Sequence, residues 1–196
     1  VVNTNDFRGR IEGAFEWEVV NDLSVEASVQ MRLNNDLSSI DRFQTGIGLN
    51  YAVSKYFNLG ADYLLINIHD KAAWKRPRHR VNINLEGNVK VGRVELSLRE
   101  RVQTTFRTDS INRYEKMNPE MVLRSRLKVE YNIRHSRWTP YLMCELSNTL
   151  NAPAVVNNYK EDAYTVDNYV SRYRVGIGAK LRIDRHNRLD FYYYFD

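Results

Sequence analysis

The chain has 196 residues, a formal net charge of +5 and a hydrophobic fraction of 43%. This length suits a single domain spanning residues 1–196, and the longest apolar run, Tyr63-Leu64-Leu65-Ile66, is far too short for a transmembrane helix. The 29 Lys and Arg residues are spread along the chain, which argues against a nucleic-acid partner. The single Cys144 forms no intramolecular disulfide, and the absence of metal-binding Cys/His spacing predicts neither a metal nor another cofactor.

Apolar and polar residues alternate in ten segments, as they do in β-strands that have one apolar face and one polar face. The clearest alternation runs through residues 94–102 and 123–134, where Leu and Val alternate with Arg, Glu and Lys. The third segment places Gly46 and Gly48 on the polar face, where a narrow barrel has little room. In chain order, the predicted strands cover residues 10–20, 23–33, 43–51, 57–65, 81–89, 94–102, 123–134, 142–146, 169–183 and 189–195.

The connectors between these segments alternate between short and long along the whole chain. Short turns fall at residues 21–22, 54–55, 90–92, 135–138 and 184–187, and long connectors at 34–39, 70–77, 108–119 and 148–167. Short periplasmic turns and long extracellular loops are typical of outer-membrane barrels, and the 13 Tyr residues suit their aromatic girdles. The pattern predicts an all-β, antiparallel transmembrane β-barrel, with its apolar face toward lipid and its polar face lining the lumen.

The direction of the strands predicts that more strands exist than the ten in the chain. If the short turns are periplasmic, the first strand begins and the tenth ends outside the cell, whereas bacterial barrels begin and end in the periplasm. One strand added at each end gives twelve, and we expect the chain to be incomplete at least at its C-terminus. The start at Val1 without a secretory signal fits an exported protein whose signal peptide has been removed.

Several short motifs resemble one known family of outer-membrane barrels. They are Asp41-Arg42-Phe43 with Gly46-Ile47-Gly48, Arg78-His79-Arg80, residues 97–104 (SLRERVQT), residues 124–128 (RSRLK), Pro140-Tyr141, Asn151-Ala152-Pro153 and residues 172–176 (RYRVG). Together they resemble the DUF2490 family, best known from Bacteroidota, over nearly the whole chain. The resemblance implies an outer-membrane barrel with a further C-terminal strand that ends in an aromatic residue. It implies no activity and no catalytic residues.

Arginines recur in pairs with a spacing of two on the predicted lumen face, which places both guanidinium groups on one side of a strand. Such pairs in a water-filled lumen would bind anions, because arginine recognises carboxylates and phosphates through a planar fork. The four pairs are Arg78 with Arg80, Arg99 with Arg101, Arg124 with Arg126, and Arg172 with Arg174.

Inward carboxylates offer a structural role for the same arginines. A narrow barrel is usually filled by its own side chains, so ion pairing inside the lumen is the first expectation. Arg10, Arg32 and Arg182 are also predicted to face inward, so the inward arginines outnumber the inward glutamates, which keeps an open anion pathway as the alternative. The expected carboxylate partners are Glu12, Glu16, Glu18, Glu26, Glu86, Glu95, Glu130 and Glu145.

Glu100 does not fit the alternation, because it falls between Leu98 and Val102 on the predicted lipid face. A carboxylate is unfavourable in that position. A bulge that turns Glu100 inward, a location at the membrane interface and contact with a partner protein are the three explanations. Ser125 and Cys144 on the same face favour a partner, although Cys144 also suits a small apolar position.

Catalysis and metal binding have weaker support in the sequence. A hydrolase site would need a serine, a histidine and a carboxylate at one rim. The four histidines, His69, His79, His135 and His186, fall at strand ends or turns. His69 and His79 flank one long connector, and Ser110 in the next long connector is the serine that could meet His79. Carboxylates that could bind calcium at the loops do not have the spacing of an EF-hand; they are Asp62, Asp70, Asp109, Glu161, Asp162 and Asp167.

The sequence thus predicts a non-enzymatic barrel in the outer membrane of a Gram-negative bacterium, in contact with phospholipid and lipopolysaccharide. The preferred function is a structural or accessory component with a charge-filled lumen that acts with other outer-membrane proteins. The alternatives are a small anion-selective channel for acidic oligosaccharides or other anions, and an outer-membrane hydrolase. A soluble lipocalin-like barrel would instead place Arg99, Arg126 and Arg174 on its exterior.

Overall fold

The computed structural model describes residues 9–34, 39–70, 73–108, 117–158, 161–182 and 188–195. These residues form strands joined by turns and connectors, and no helix long and apolar enough to cross a membrane occurs among them. The strands are β1 (Gly9–Val20), β2 (Leu23–Asn34), β3 (Ser39–Ser54), β4 (Phe57–Asp70), β5 (Ala73–Trp74), β6 (Arg78–Val91), β7 (Val94–Arg107), β8 (Glu120–Tyr131), β9 (Trp138–Asn158), β10 (Glu161–Arg182) and β11 (Arg188–Phe195).

Ten long strands form one antiparallel sheet in which each strand pairs with its neighbours along the chain. The two-residue strand β5 pairs only with the end of β4. The sheet is curled like half of a barrel, and no pairing between β1 and β11 occurs within the described residues. The predicted all-β antiparallel architecture with ten strands is therefore confirmed, while closure of the barrel stays a prediction.

The two faces of the sheet differ in chemistry, and we call them the inner and outer faces. The inner face carries buried polar side chains, among them Gln44, Asn82 and Glu145. The outer face carries exposed apolar side chains, such as Phe15, Ile83 and Leu142, which are 58%, 55% and 58% exposed. This distribution is the reverse of that in a water-soluble barrel, whose apolar residues face its interior.

Two predicted boundaries are wrong. Residues 148–167 were expected to form the longest loop, but β9 continues to Asn158 and β10 begins at Glu161, so the connector is short. Within the described residues, β9 pairs with both β8 and β10 up to Thr149 and with β10 alone beyond it. The seventh predicted segment, 123–134, ends three residues earlier, since β8 stops at Tyr131.

The alternation also changes phase within β10. The register shifts between Val170 and Arg172, and Tyr169 pairs with Thr149, whose side chain is buried on the inner face. Uninterrupted alternation through residues 169–183 would place Tyr169 and Tyr173 on the same, outer face. The irregularity at Ser171 puts Tyr169 in register with the inner face, whereas Tyr173 pairs with Leu146 on the outer face.

Glycines make room for aromatic rings on the inner face. A Cβ atom added to Gly178 would lie 2.4 Å from Cζ of Tyr141 and 2.7 Å from the backbone oxygen of Phe191. Likewise, a Cβ atom at Gly46 would lie 2.3 Å from Cδ2 of Leu64, in line with the little room expected at that position. By contrast, Gly92 has a φ of +62° and supplies the backbone conformation for the tight turn between β6 and β7.

Candidate functional site

Five arginines gather on the inner face of β7, β8 and β10, and we call them the arginine block: Arg99, Arg101, Arg124, Arg126 and Arg174. The register places Arg101 directly opposite Arg124, and Arg99 directly opposite Arg126. Like charges in directly opposite positions repel one another. The block therefore depends on the carboxylates that lie among its guanidinium groups.

Glu145 on β9 is the central carboxylate of the block. It is only 3% exposed, and its Oε1 accepts a hydrogen bond of 2.5 Å from Nη2 of Arg124. Nη2 of Arg99 lies 3.6 Å from its other oxygen, and Nη1 of Arg174 lies 3.8 Å from Oε1. One buried carboxylate thus neutralises part of the charge of three arginines that come from three different strands.

A second carboxylate, Asp62 on β4, holds Arg101. Nη2 of Arg101 lies 3.4 Å from Oδ2 of Asp62, and the same oxygen accepts a hydrogen bond of 2.7 Å from Asn84. The Nε of Arg101 donates to the Asn84 side chain. Asp62 had been considered as a loop ligand for calcium, which is wrong, because it lies on a strand and pairs with an arginine.

The other predicted arginines lie outside the block. Arg78 is opposite Arg107 on β7, and Arg80 donates from Nε to the Thr105 hydroxyl at 3.1 Å, so both lie closer to the long connectors. Arg172 is opposite Ser147 and is exposed. Of the four predicted pairs, only Arg99 with Arg101 and Arg124 with Arg126 remain adjacent as complete pairs in the block.

Several predicted carboxylates have partners other than arginine. Gln30 donates to Glu12 at 2.7 Å, and the Ser24 hydroxyl donates to Glu16 at 2.5 Å. Glu26 lies close enough to Glu12, Glu16 and Asp62 for their charges to act on it. This side of the sheet, β1 and β2, is acidic, whereas the side formed by β7, β8 and β10 is basic.

A lysine-rich cluster lies on the inner face nearer the short turns. Oε1 of Glu130 is 2.5 Å from the Nζ atoms of both Lys128 and Lys180. Lys128 also lies over the ring of Tyr141, with its Nζ 4.3 Å from the centroid, and the Tyr141 hydroxyl donates to Asp190 at 2.7 Å. The members of this cluster come from β8, β9, β10 and β11, so no local sequence motif predicts it.

A polar cavity of about 330 Å³ adjoins this cluster at the end of the sheet that carries the short turns. Glu130 and Lys180 line it there, and Glu86 and Ser97 line it where it approaches the arginine block. Glu95, a predicted partner of the arginines, also lines the cavity and lies directly opposite Glu130. The cavity is of the size that small ligands occupy.

Glu100 lies on the outer face, between Leu98 and Val102. The pairing of β7 with β6 and β8 is regular at this position, so the expected bulge is wrong. The Ser125 hydroxyl donates a hydrogen bond of 2.6 Å to the Glu100 carboxylate. Cys144 on β9 is a free thiol whose sulfur lies 3.3 Å from the Tyr173 hydroxyl.

The residues considered for catalysis and metal binding are only partly described. His79 Nδ1 lies 2.5 Å from the Tyr63 hydroxyl on the outer face, and His69 packs against Trp74. No group of three or more potential metal ligands occurs among the described residues. Other candidates lie outside the residues or side chains that the structure describes: Asp70, Asp109, Ser110, Glu161, Asp162 and His186.

Comparison with known proteins gives one match. The model of a family described as "Protein of unknown function (DUF2490)" matches residues 9–196. No curated protein matches the chain. No solved structure matches it either.

Proposed function

We propose that this chain, which belongs to the DUF2490 family, is an outer-membrane β-barrel with a charge-filled lumen that acts as an accessory component beside other outer-membrane proteins. The observation that carries this proposal is the burial of Glu145 among three arginines, in a sheet whose outer face is apolar. In this proposal phospholipid and lipopolysaccharide contact the outer face.

The exposed side chains of the outer face support a membrane location. Neighbouring strands β6 and β7 present Val81, Ile83, Leu85, Leu96 and Leu98 on that face, each between 39% and 55% exposed. Contiguous apolar surface of this kind is unfavourable in water and favourable in lipid. Aromatic residues, including Trp17 and Tyr193, lie near the strand ends, where interfacial girdles occur.

The charge-filled lumen predicts that the purified full-length chain conducts poorly. In planar lipid bilayers, we expect no stable ion-conducting openings, because Glu145, Asp62 and Glu130 tie side chains from several strands together across the inner face. A general porin reconstituted in the same way controls for insertion into the bilayer. Stable openings of uniform conductance would contradict the filled lumen.

An anion-selective channel is the second candidate, and the excess of cations on the inner face favours it. Among the described residues, the ion pairs of the five arginines of the block involve three carboxylates, Asp62, Glu86 and Glu145. If the bilayer experiment gives stable openings, their reversal potential in a salt gradient identifies the selectivity. Anion selectivity that falls in Arg124→Gln would support this function for acidic oligosaccharides or other anions.

Glu100 is the position at which we propose that a partner protein contacts the outer face. A carboxylate hydrogen-bonded only to Ser125, among apolar neighbours, fits a membrane protein that presents a hydrogen-bond donor. A photo-reactive residue at position 100 should crosslink in cells to one discrete protein, and the same residue at Ile83 should not. Labelling of lipid alone at both positions would contradict the proposed contact.

The Glu100 carboxylate should lower the stability of the protein when no partner protein is present. We expect Glu100→Leu to raise the free energy of unfolding in lipid vesicles by about 1–2 kcal/mol, because it removes a charge from the lipid face. Denaturant titration measures this change, with Leu98→Ile as the control on the same strand. A loss of stability in Glu100→Leu would mean that the Ser125 hydrogen bond matters more than the removal of the charge.

A further inference from the structure

Two arginines of the block, Arg99 and Arg126, each have a buried Nε atom without a hydrogen-bond partner among the described residues. Arg99 and Arg126 lie directly opposite each other on β7 and β8, with side chains that are 15% and 20% exposed. Their nearest carboxylate oxygens, on Glu145 and Glu86, are 3.6 Å and 3.8 Å away, beyond hydrogen-bond distance.

The adjacent cross-strand pair differs sharply. Arg101 donates to Asn84 and Asp62, and Arg124 donates to Glu145 and Gln103. The two pairs lie on the same strands and are similarly buried, so neither their strands nor their burial explains the difference. Buried polar groups nearly always have hydrogen-bond partners, so two neighbouring buried Nε atoms that have none within the described part of the chain indicate a place for a ligand.

We propose that Arg99 and Arg126 form a binding site for an oxyanion: a phosphate, sulfate or carboxylate group. Two arginines in directly opposite positions on neighbouring strands, with their side chains on the same face, suit the oxygens of such a group, because arginine binds them through paired hydrogen bonds. The Arg-x-Arg motif of the sequence pairs arginines along one strand, whereas the proposed site pairs Arg99 with Arg126 across two neighbouring strands.

The polar cavity gives this site an entrance. It is lined by Glu86, which contacts Arg126, and by Ser97, two residues before Arg99. From there it leads toward the short turns, past Lys90, Lys180 and Arg182. The cavity lining holds four cations, Lys90, Arg137, Lys180 and Arg182, against three carboxylates, Glu86, Glu95 and Glu130, and this net positive charge favours an anion.

The site does not depend on the proposed accessory function. A barrel that conducts no ions can still bind an oxyanion inside its inner face, and the binding measurement needs no open pore. Absence of oxyanion binding would leave the expected lack of conductance unchanged. Stable ion conductance would likewise leave the expected oxyanion binding unchanged.

Calorimetric titration of the full chain, folded in an uncharged maltoside detergent, with inorganic phosphate tests the site. We expect saturable binding with one phosphate per chain, and at least about tenfold weaker affinity in Arg99→Gln and Arg126→Gln. Arg126→Lys keeps the charge but removes the fork and should also weaken binding. Arg107→Gln is the matched control, because Arg107 pairs with Glu120 outside the block and its loss changes the net charge equally.

Further arms identify where the oxyanion comes from. Glucuronate represents acidic sugars, and nanodiscs of phosphatidylcholine with or without phosphatidylglycerol represent lipid phosphate. Competition of either with inorganic phosphate, lost in Arg126→Gln, supports the site and identifies the source. Circular dichroism verifies that each variant is folded. No saturable binding of any of these anions, or an equal loss in Arg107→Gln, would overturn the proposal.

Discussion

Glu145→Gln should lower the free energy of unfolding by about 3–5 kcal/mol, because removal of one member of a buried ion pair leaves its partners uncompensated. Here the carboxylate is 3% exposed and lies within 4 Å of Arg124, Arg99 and Arg174. Glutamine has nearly the same size as glutamate, so the loss of stability measures the effect of removing the negative charge. Urea titration of the protein refolded in lipid vesicles measures this change.

A second carboxylate on the same face supplies the control for this variant. Glu16→Gln changes the net charge equally, but Glu16 belongs to the acidic side of the sheet and is exposed. Its removal should change stability by less than about 0.5 kcal/mol. The double variant with Arg124→Gln and Glu145→Gln should recover part of the lost free energy of unfolding, because the Arg124 guanidinium that Glu145→Gln leaves unpaired is then absent. A fully additive double variant would contradict the role assigned to this pair.

Gly178→Val should lower the free energy of unfolding by about 1–3 kcal/mol, because the new side chain overpacks the inner face. Its Cβ atom would lie 2.4 Å from Cζ of Tyr141 and 2.7 Å from a backbone oxygen on β11. Relief of the first clash requires Tyr141 to move away from Asp190 and Lys128. Urea titration again measures the effect, and near-ultraviolet circular dichroism reports the change around the tyrosine.

Gly87→Val is the matched control on the outer face. The nearest atom to a Cβ at Gly87 is the backbone oxygen of Tyr56, at 3.9 Å, so the valine has space. It should be neutral or slightly stabilising, since β-branched residues favour strands over glycine. If Gly87→Val destabilises as much as Gly178→Val, loss of a glycine explains both effects and contact with Tyr141 does not.

The strands were predictable because alternation of polar and apolar residues records which face each residue occupies. This signal predicted all ten long strands and the exposed positions of residues such as Ile83 and Leu142. It was lost at Ser171, where the register shifts, and at the end of β9 beyond Thr149, where β9 pairs with β10 but no longer with β8 among the described residues.

The partners inside the candidate site were less predictable. An alternating pattern identifies Arg101 as inward, but Asp62 reaches it from a strand two positions away in the sheet, and only the register brings them together. The same holds for Glu130 with Lys180. Such contacts depend on the reach of long side chains across an intervening strand, which no local motif encodes.

The order of the strands in the sheet follows their order in the chain, and this determines how the sheet can assemble. Because every long strand pairs with the next one along the chain, the pairing of each further strand closes only one turn or loop. The conformational entropy lost at each step therefore stays small. The sheet can therefore grow hairpin by hairpin in the order in which the chain is delivered, without threading one segment past another. Some charged partners meet only later, when the next strand but one arrives, as β9 brings Glu145 to Arg99 on β7.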